Sequence, residues 1–296
     1  MTMGDSLVLK SSGMDAPATM TIQEVADALG VHYMTAYRYV RQGRLPATRQ
    51  GAEWRVHPSD VAALTTTARR RNARTSFDSK ALERRMVAGD SQGAWWLLQS
   101  HLGGGLDPSG VLTDMVVPAL RSIGDRWAGG EVSIAEEHRA TAVAQRVIGH
   151  LGMQFSRRGK DRGTVALAAP SGDLHVLPVA IVADLLRWRG FDVLELGGNA
   201  PAAAMGDAVA EERRLLAVGI VSTVSGHDSE VALSASSVRA AVPGIPVFIG
   251  GGAVSSEAHA HALGADVWTG PGPNAAVETV ERLAGSTEVR ALRSVS

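Results

Sequence analysis

Cysteine is absent from the 296 residues, which excludes a disulfide framework and any thiolate-held metal. No apolar run reaches the roughly 18 residues a membrane span requires, and the opening stretch MTMGDSLVLKSSGMDAPAT lacks the charged-then-apolar order of a secretory signal. Those absences predict a cytoplasmic protein with no membrane partner. Net charge is nearly absent as well, at −1, but the balance hides a division: residues 1–76 carry ten Lys/Arg against six Asp/Glu, and residues 77–296 carry nineteen against twenty-four. A basic head on an acidic body points to nucleic acid at one end of the chain. What is present is apolar material, 45% of the chain, enough to build cores, over a length that predicts two or three compact units.

Residues 1–19 are small and polar without periodicity and read as a disordered leader. Pattern begins at Thr21, which with Glu24 spells a capping box, while Ile22, Val25, Ala26 and Leu29 form a helical stripe that stops at Gly30. A second helix is expected over 32–42, its outward positions being His32, Tyr33, Thr35, Arg38, Tyr39 and Arg41. Two short helices joined through glycine are the arrangement that lays the second helix in the DNA major groove. The following RLPATRQGAEWRVHPSDVAAL has a turn at Gln50-Gly51 between two extended pieces, then a helix start at Ser59. This is a wing, with Arg49 and Arg55 flanking its tip and Trp54 packing it down. An ordinary helical hairpin with a solvated basic face is the alternative, and the wing and basic excess together favour DNA. Residues 20–65 resemble the winged helix-turn-helix of the MerR and excisionase families. In such a head Thr35, Arg38, Tyr39, Arg41, Arg49 and Arg55 would approach bases or phosphates of double-stranded operator DNA. No heptads follow Leu64, so the long dimerising coiled coil of many MerR-type proteins is not expected.

The polar, basic run 66–76 reads as a linker, with Arg69, Arg70, Arg71 and Arg74 available to phosphates. Residues 77–158 carry helical patterns only. Val116, Leu120, Ile123 and Trp127 fall on one stripe that ends at Ala128-Gly129-Gly130, and Ser133 with Glu136 spells a second capping box, so a four-helix bundle is expected. From 159 to 290 strands at 164–169, 192–196, 216–222, 246–251 and 266–270 alternate with apolar helices. That grammar predicts a flavodoxin-like α/β domain with a five-stranded parallel sheet of order 2-1-3-4-5. The fold class is therefore multidomain, α followed by α/β.

In that order the first, third and fourth strands are neighbours. Their carboxyl ends bring His175, Ser222 to Ser225 and Gly250 to Gly252 to one crevice. Asp173-x-His175, then Ser222-x-Val224, then Gly251-Gly252 resembles the DxHxxG…SxL…GG signature of the B12-binding domains in methionine synthase, corrinoid methyltransferase subunits and mutases. Pro178 stands at the signature's last Gly and Val224 at its Leu. The resemblance implies a cobalamin whose benzimidazole tail leaves cobalt and inserts among strand ends at Ser222, Val224, Gly251 and Gly252. It makes His175 the cobalt ligand and Asp173 the carboxylate that fixes its tautomer.

Trp127, nine residues, then Glu137-His138 resembles the W-x9-EH motif of the CarH family, MerR-type cobalamin-dependent photoreceptor transcription factors. That likeness implies that Trp127, Glu137 and His138 cover an upper axial adenosyl group. Head, bundle and B12 domain follow in that family's order, and the resemblance spans about 20–275. It implies a non-enzymatic repressor that reads adenosylcobalamin, assembles as a homo-tetramer on DNA in the dark and disassembles when light cleaves the Co–C bond. Members of the family can carry a histidine directly after the motif tryptophan, where this chain has Ala128. This leaves open His138 in its stead, water, or cobalamin sensing without light. Two other readings stand beside this one. A corrinoid methyl carrier would use the same body but has no role for a DNA head, and a haem or bilin pocket would also take His175 as ligand. His101, His150, His227, His259 and His261 are expected on the surface or in loops.

Overall fold

The computed structural model describes residues 19–29, 33–41, 43–51, 53–155 and 162–294, with the backbone alone considered over 66–77 and 286–294. The expected leader, Gly30 and His32 lie outside the described residues. Two units divide at Thr75 and Ser76. The first is built on β1 (Met20–Thr21), α1 (Ile22–Leu29), α2 (Tyr33–Arg41), β2 (Thr48–Gln50), β3 (Glu53–Val56) and the start of α3 (Pro58–Ala88). Its helix entry is the expected capping box: Glu24 N–H donates to Thr21 Oγ1 at 3.2 Å, and Thr21 N–H donates to the Glu24 carboxylate at 2.7 Å. Val25, Ala26, Ala36, Leu45 and Val56 are the core. The wing is an antiparallel pair, Arg49 facing Trp54, turned at Gly51 with φ +63°, and Trp54 packs down on that core as expected. α3 begins at Pro58, one residue ahead of the expected Ser59. Proline is suited to a first helical position, where its missing N–H would be unpaired anyway.

The run 66–76, expected as a linker, is helical backbone inside the 31-residue α3. Polar composition suggested a tether, but no Gly or Pro occurs from 59 to 88, and Ala and Arg are good helix formers. Nothing in the run stops the helix.

The second unit starts with the expected bundle: the end of α3, then α4 (Ser91–Gly103), α5 (Pro108–Val111), α6 (Val117–Ala128) and α7 (Ile134–Gly152). α5 runs through a π turn, Leu112–Val116, into α6. That turn falls just before Pro118, whose ring would clash with the carbonyl of a regular turn. Ser133 and Glu136 make the second capping box. His101, expected on the surface, is instead mostly buried and paired with Asp78 at 2.9 Å.

After the bundle come β4 (Thr164–Pro170), α8 (Val176–Trp188), β5 (Asp192–Ala200), α9 (Ala202–Glu211), β6 (Leu215–Val221), α10 (Asp228–Ala241), β7 (Val247–Gly250), α11 (Glu257–Ala262), β8 (Val267–Trp268) and α12 (Pro273–Ser294). The strands are parallel in the order β5-β4-β6-β7-β8, the expected 2-1-3-4-5. One face of the sheet shares a continuous core with the bundle, through residues such as Leu151, Phe155, Val179 and Phe248. The other face packs its own core with Met205, Val209, Val231 and Leu263. Because the bundle and sheet share apolar side chains, the helices are held over the carboxyl edge rather than tethered beside it. Among the described residues no helix is long and apolar enough to cross a membrane.

At the middle of the sheet Gly219 leaves room for two neighbours: a Cβ there would lie 2.3 Å from Phe248 and 2.6 Å from Leu167. Gly219→Ala is expected to cost about 1–3 kcal/mol by overpacking. A urea titration should show a lower midpoint with an unchanged slope.

Candidate functional site

The chain leaves β4 at Pro170 and enters α8 at Val176, and the five residues between them carry the chemistry. His175 is the residue immediately before the helix. Two residues earlier, Asp173 is completely buried, and its carboxylate accepts four donors. These are His175 Nδ1 at 2.9 Å, His175 N–H at 3.1 Å, Thr223 N–H at 2.7 Å and the Thr223 hydroxyl at 2.9 Å. A carboxylate on Nδ1 holds the proton there and turns the Nε2 lone pair outward. His175 remains 59% exposed at its side chain and lines a cavity of about 620 Å³.

Burial opposes ionisation of Asp173, but the hydrogen bonds from His175 and Thr223 outweigh it and hold the carboxyl at about 2. The same Asp173 bond raises the His175 imidazole above its usual value against the effect of burial, with a further pull from Glu137.

The cavity lies between α6 and α7 of the bundle and the carboxyl edge of the sheet, and apolar side chains including Leu120, Leu177, Ile181 and Phe248 line it. Trp127, Glu137, His138, His175, Gly251 and Gly252, all expected at the site, meet there. Trp127 closes the stripe begun by buried Val116 and Ile123, yet stands 49% exposed, because α6 has by then left the core. Glu137 accepts the Thr141 hydroxyl and His138 Nδ1, each at 2.7 Å. Burial opposes its ionisation, and these bonds nevertheless lower its pKa. Two carboxylate-backed imidazoles, one from the bundle and one from the sheet, thus line one cavity.

Ser222 and Val224 do not line it, whereas Val221 and Thr223 do. β6 ends at Val221, so Ser222 to Val224 already belong to the loop, where Ser222 is tied back to the strand ends and Thr223 turns to Asp173. Ser222 is buried and works through its backbone, its N–H bonded to Gly250 O and its carbonyl to Ala253 N. Asp173 stands behind His175 rather than in the wall. Thr223, not singled out from the sequence, proves to be the main anchor of Asp173; it sits inside the Ser-x-Val motif, which was the available signal. The loop Thr269 to Pro273, TGPGP, was also missed, although it directly follows the last strand at the same sheet edge.

The donor set suits a metal that arrives with its own ring of ligands: one imidazole of fixed tautomer above largely apolar walls. Gly250 and Gly251 are required by the close approach of the chain's own strand ends, and Gly252, where a Cβ would meet nothing within 4 Å, leaves open room in the cavity wall. Gly251 has φ +108°, and a Cβ on it would lie 2.1 Å from Ser222 O; a Cβ on Gly250 would lie 2.1 Å from Thr269 Oγ1. Bare backbone is what a flat ring or base can lie against. Pro178 sits in the first turn of α8 with its ring in the cavity wall.

The head, taken by itself, exposes Arg38 and Arg41 on α2 and Arg49 on the wing. Thr35 is half-buried. Tyr39, expected to approach DNA, packs against the head's core and carries the Arg44 guanidinium 4.5 Å above its ring. Arg55 is likewise engaged, bonded to Glu53 at 2.8 Å. Arg44, one turn beyond α2, is the cation the sequence reading passed over.

Family comparisons agree with this division of labour. Residues 19–69 match the helix-turn-helix domain, and residues 79–151 and 163–280 match two B12 binding domain families. It is a helix-turn-helix protein with a cobalamin-binding body. The chain is 29% identical over 184 residues to the HTH-type transcriptional repressor CarH of Myxococcus xanthus, covering 61% of this chain and 58% of that repressor's length. It is 24% identical to the trimethylamine corrinoid protein of Methanosarcina barkeri, over 72% of this chain and 94% of the relative. The solved monomethylamine corrinoid protein of Methanosarcina barkeri has the same fold over 68% of this chain and 96% of that one, with a TM-score of 0.55 at 18% identity.

Asp173→Asn is expected to cost about 2.5 kcal/mol at neutral pH, from just under two pH units of depression at ~1.4 kcal/mol each. The folded carboxyl titrates at about 2, below the ~3.9 of an unfolded chain. Its stabilisation is therefore complete above about pH 4 and lost as pH falls through 2. Urea midpoints of the two proteins should differ at pH 7 and converge in acid.

Proposed function

We propose that this cobalamin-binding regulator takes cobalt on His175 Nε2 and represses transcription in a form that light reverses. The observation that carries the reading is the Asp173–His175–Thr223 network, which presents one imidazole of fixed tautomer to a cavity whose opposite wall is a DNA-binding protein's own bundle. Asp173 and Thr223 orient the ligand, and Gly251 and Gly252 supply bare backbone for the tail base. Trp127, Glu137 and His138 form the wall in which an upper group would rest. Adenosylcobalamin, when bound, supplies a light-cleavable Co–C bond. The packing of α6 and α7 against the cavity answers to what fills the space beside Trp127.

As in the family it resembles, the output is oligomeric, a tetramer in the dark. One head offers few contacts, and several held together raise effective affinity about 10²–10⁴-fold, so dissolving the assembly is enough to release DNA. Arg38, Arg41 and Arg49 are the exposed cations that meet DNA, with Arg44 beside them. A methyl-carrier reading accounts for the body and leaves these arginines without a purpose.

Protein loaded with adenosylcobalamin in the dark should show a histidine-bound, base-off absorbance spectrum that changes irreversibly under green light, together with a drop in oligomer size on a sizing column. His175→Ala should lose the histidine-bound spectrum. A corrin that photolyses only as it does free in solution, with no change of size, would refute the light-reversed switch. Arg38→Ala should weaken operator binding about 10–100-fold and lower the salt slope by about one, with cobalamin binding unchanged; equal affinity for operator would remove α2 from the interface.

A further inference from the structure

We propose that Asn199 is the positioning residue of the ligand loop, holding the main chain that carries Asp173 and His175 while Thr223 holds the carboxylate. The inference rests on His175 being the cobalt ligand. Asn199 closes the edge strand β5 with φ 53°, alone among the described non-glycine residues in the left-handed region. Most side chains resist that conformation, and asparagine tolerates it better than others. Such conformations persist where surrounding contacts impose them.

Here the contacts are two reciprocal hydrogen bonds to one loop. Gly172 N–H donates to Asn199 Oδ1 at 2.8 Å, and Asn199 N–H donates to the Asp173 carbonyl at 2.8 Å. The turn that delivers them is prepared by Gly197 with φ +73°. It is also prepared by Gly198, where a Cβ would sit 3.1 Å from Val176 Cγ1 and 3.2 Å from the Asp173 carbonyl. On its far side the loop is backed by the His227 ring, which would lie 2.4 Å from a Cβ on Gly172.

Asp173 is therefore gripped twice, by different strands. Thr223, after β6, fixes the side chain; Asn199, at the end of β5, fixes the backbone. The second grip is needed because Gly172, with φ +86°, is a joint directly before the residue that carries the carboxylate. The position asks for an acceptor on the Gly172 N–H and for tolerance of the left-handed backbone, and asparagine and aspartate side chains both meet those two demands.

The test compares wild type with Asn199→Gly, which keeps the left-handed backbone at no steric cost and removes only the acceptor, and with Asn199→Asp, which restores an acceptor. Amide hydrogen exchange at Gly172 in the cobalamin-free protein should be about tenfold faster in Asn199→Gly and near wild type in Asn199→Asp. The rate of corrin loss and the fraction of histidine-bound corrin should follow the same order, while the thermal midpoint stays near wild type in both. Unchanged Gly172 exchange and ligation in Asn199→Gly would overturn the proposal, as would equal loss in both variants. A wild type that shows no histidine-bound corrin would instead refute the ligand assignment, with Gly172 exchange still deciding whether Asn199 holds the loop.

Discussion

Burying a carboxylate is costly unless donors replace its lost water, and Asp173 meets that condition with four hydrogen bonds and, among the described residues, no Lys or Arg partner. The donors come from two loops that follow neighbouring strands. The carboxylate can be buried in its ionised form only when β4 and β6 are side by side and Thr223 is in register with the loop. The sheet thus determines the tautomer of His175, and an exposed imidazole becomes a ligand of fixed orientation. With no Lys or Arg beside it among the described residues, the Asp173 charge acts chiefly on the His175 imidazole.

The second constraint is the shared core. Leu151 and Phe155, at the end of the bundle, are buried in the same cluster as Val179 and Phe248, so α6 and α7 cannot drift from the sheet edge without exposing apolar surface. That contact places Trp127 and the Glu137–His138 pair in the wall of the cavity that His175 also lines. Each imidazole is backed by a carboxylate at Nδ1, one from a helix and one from a loop, a symmetry that a fold-level description would miss. The chemistry of an occupant would therefore bear directly on how α6 and α7 pack.

Much of this was legible because it rests on local grammar. Two capping boxes, the Gln50-Gly51 turn and the alternation of apolar strands with helices each depend on a few neighbouring residues, and each appears where the spacing put it. The strand order is the one common to flavodoxin-like sheets of five alternating strands. The misreadings share a different cause. The run 66–76 looked like a tether because polarity was weighed above its lack of helix breakers. Tyr39 reads as a contact residue, but its ring is partly buried against the head's core and stacked under Arg44. Ser222 and Val224 carry the motif while Val221 and Thr223 line the cavity, a distinction set by how the loop after β6 turns, which a motif does not express. Asn199 was invisible, since its partners lie 26 and 27 residues away and its backbone conformation leaves no trace in composition.

The central claim is that His175 replaces the cofactor's own base on cobalt, and the most direct measurement is the electron paramagnetic resonance spectrum of protein loaded with cob(II)alamin, with and without ¹⁵N-labelled histidine. Axial ligation by His175 predicts that the nitrogen splitting changes from triplets to doublets on labelling and disappears in His175→Ala. Triplets that persist in the ¹⁵N-histidine protein would show that the benzimidazole has never left the metal, and would contradict the account.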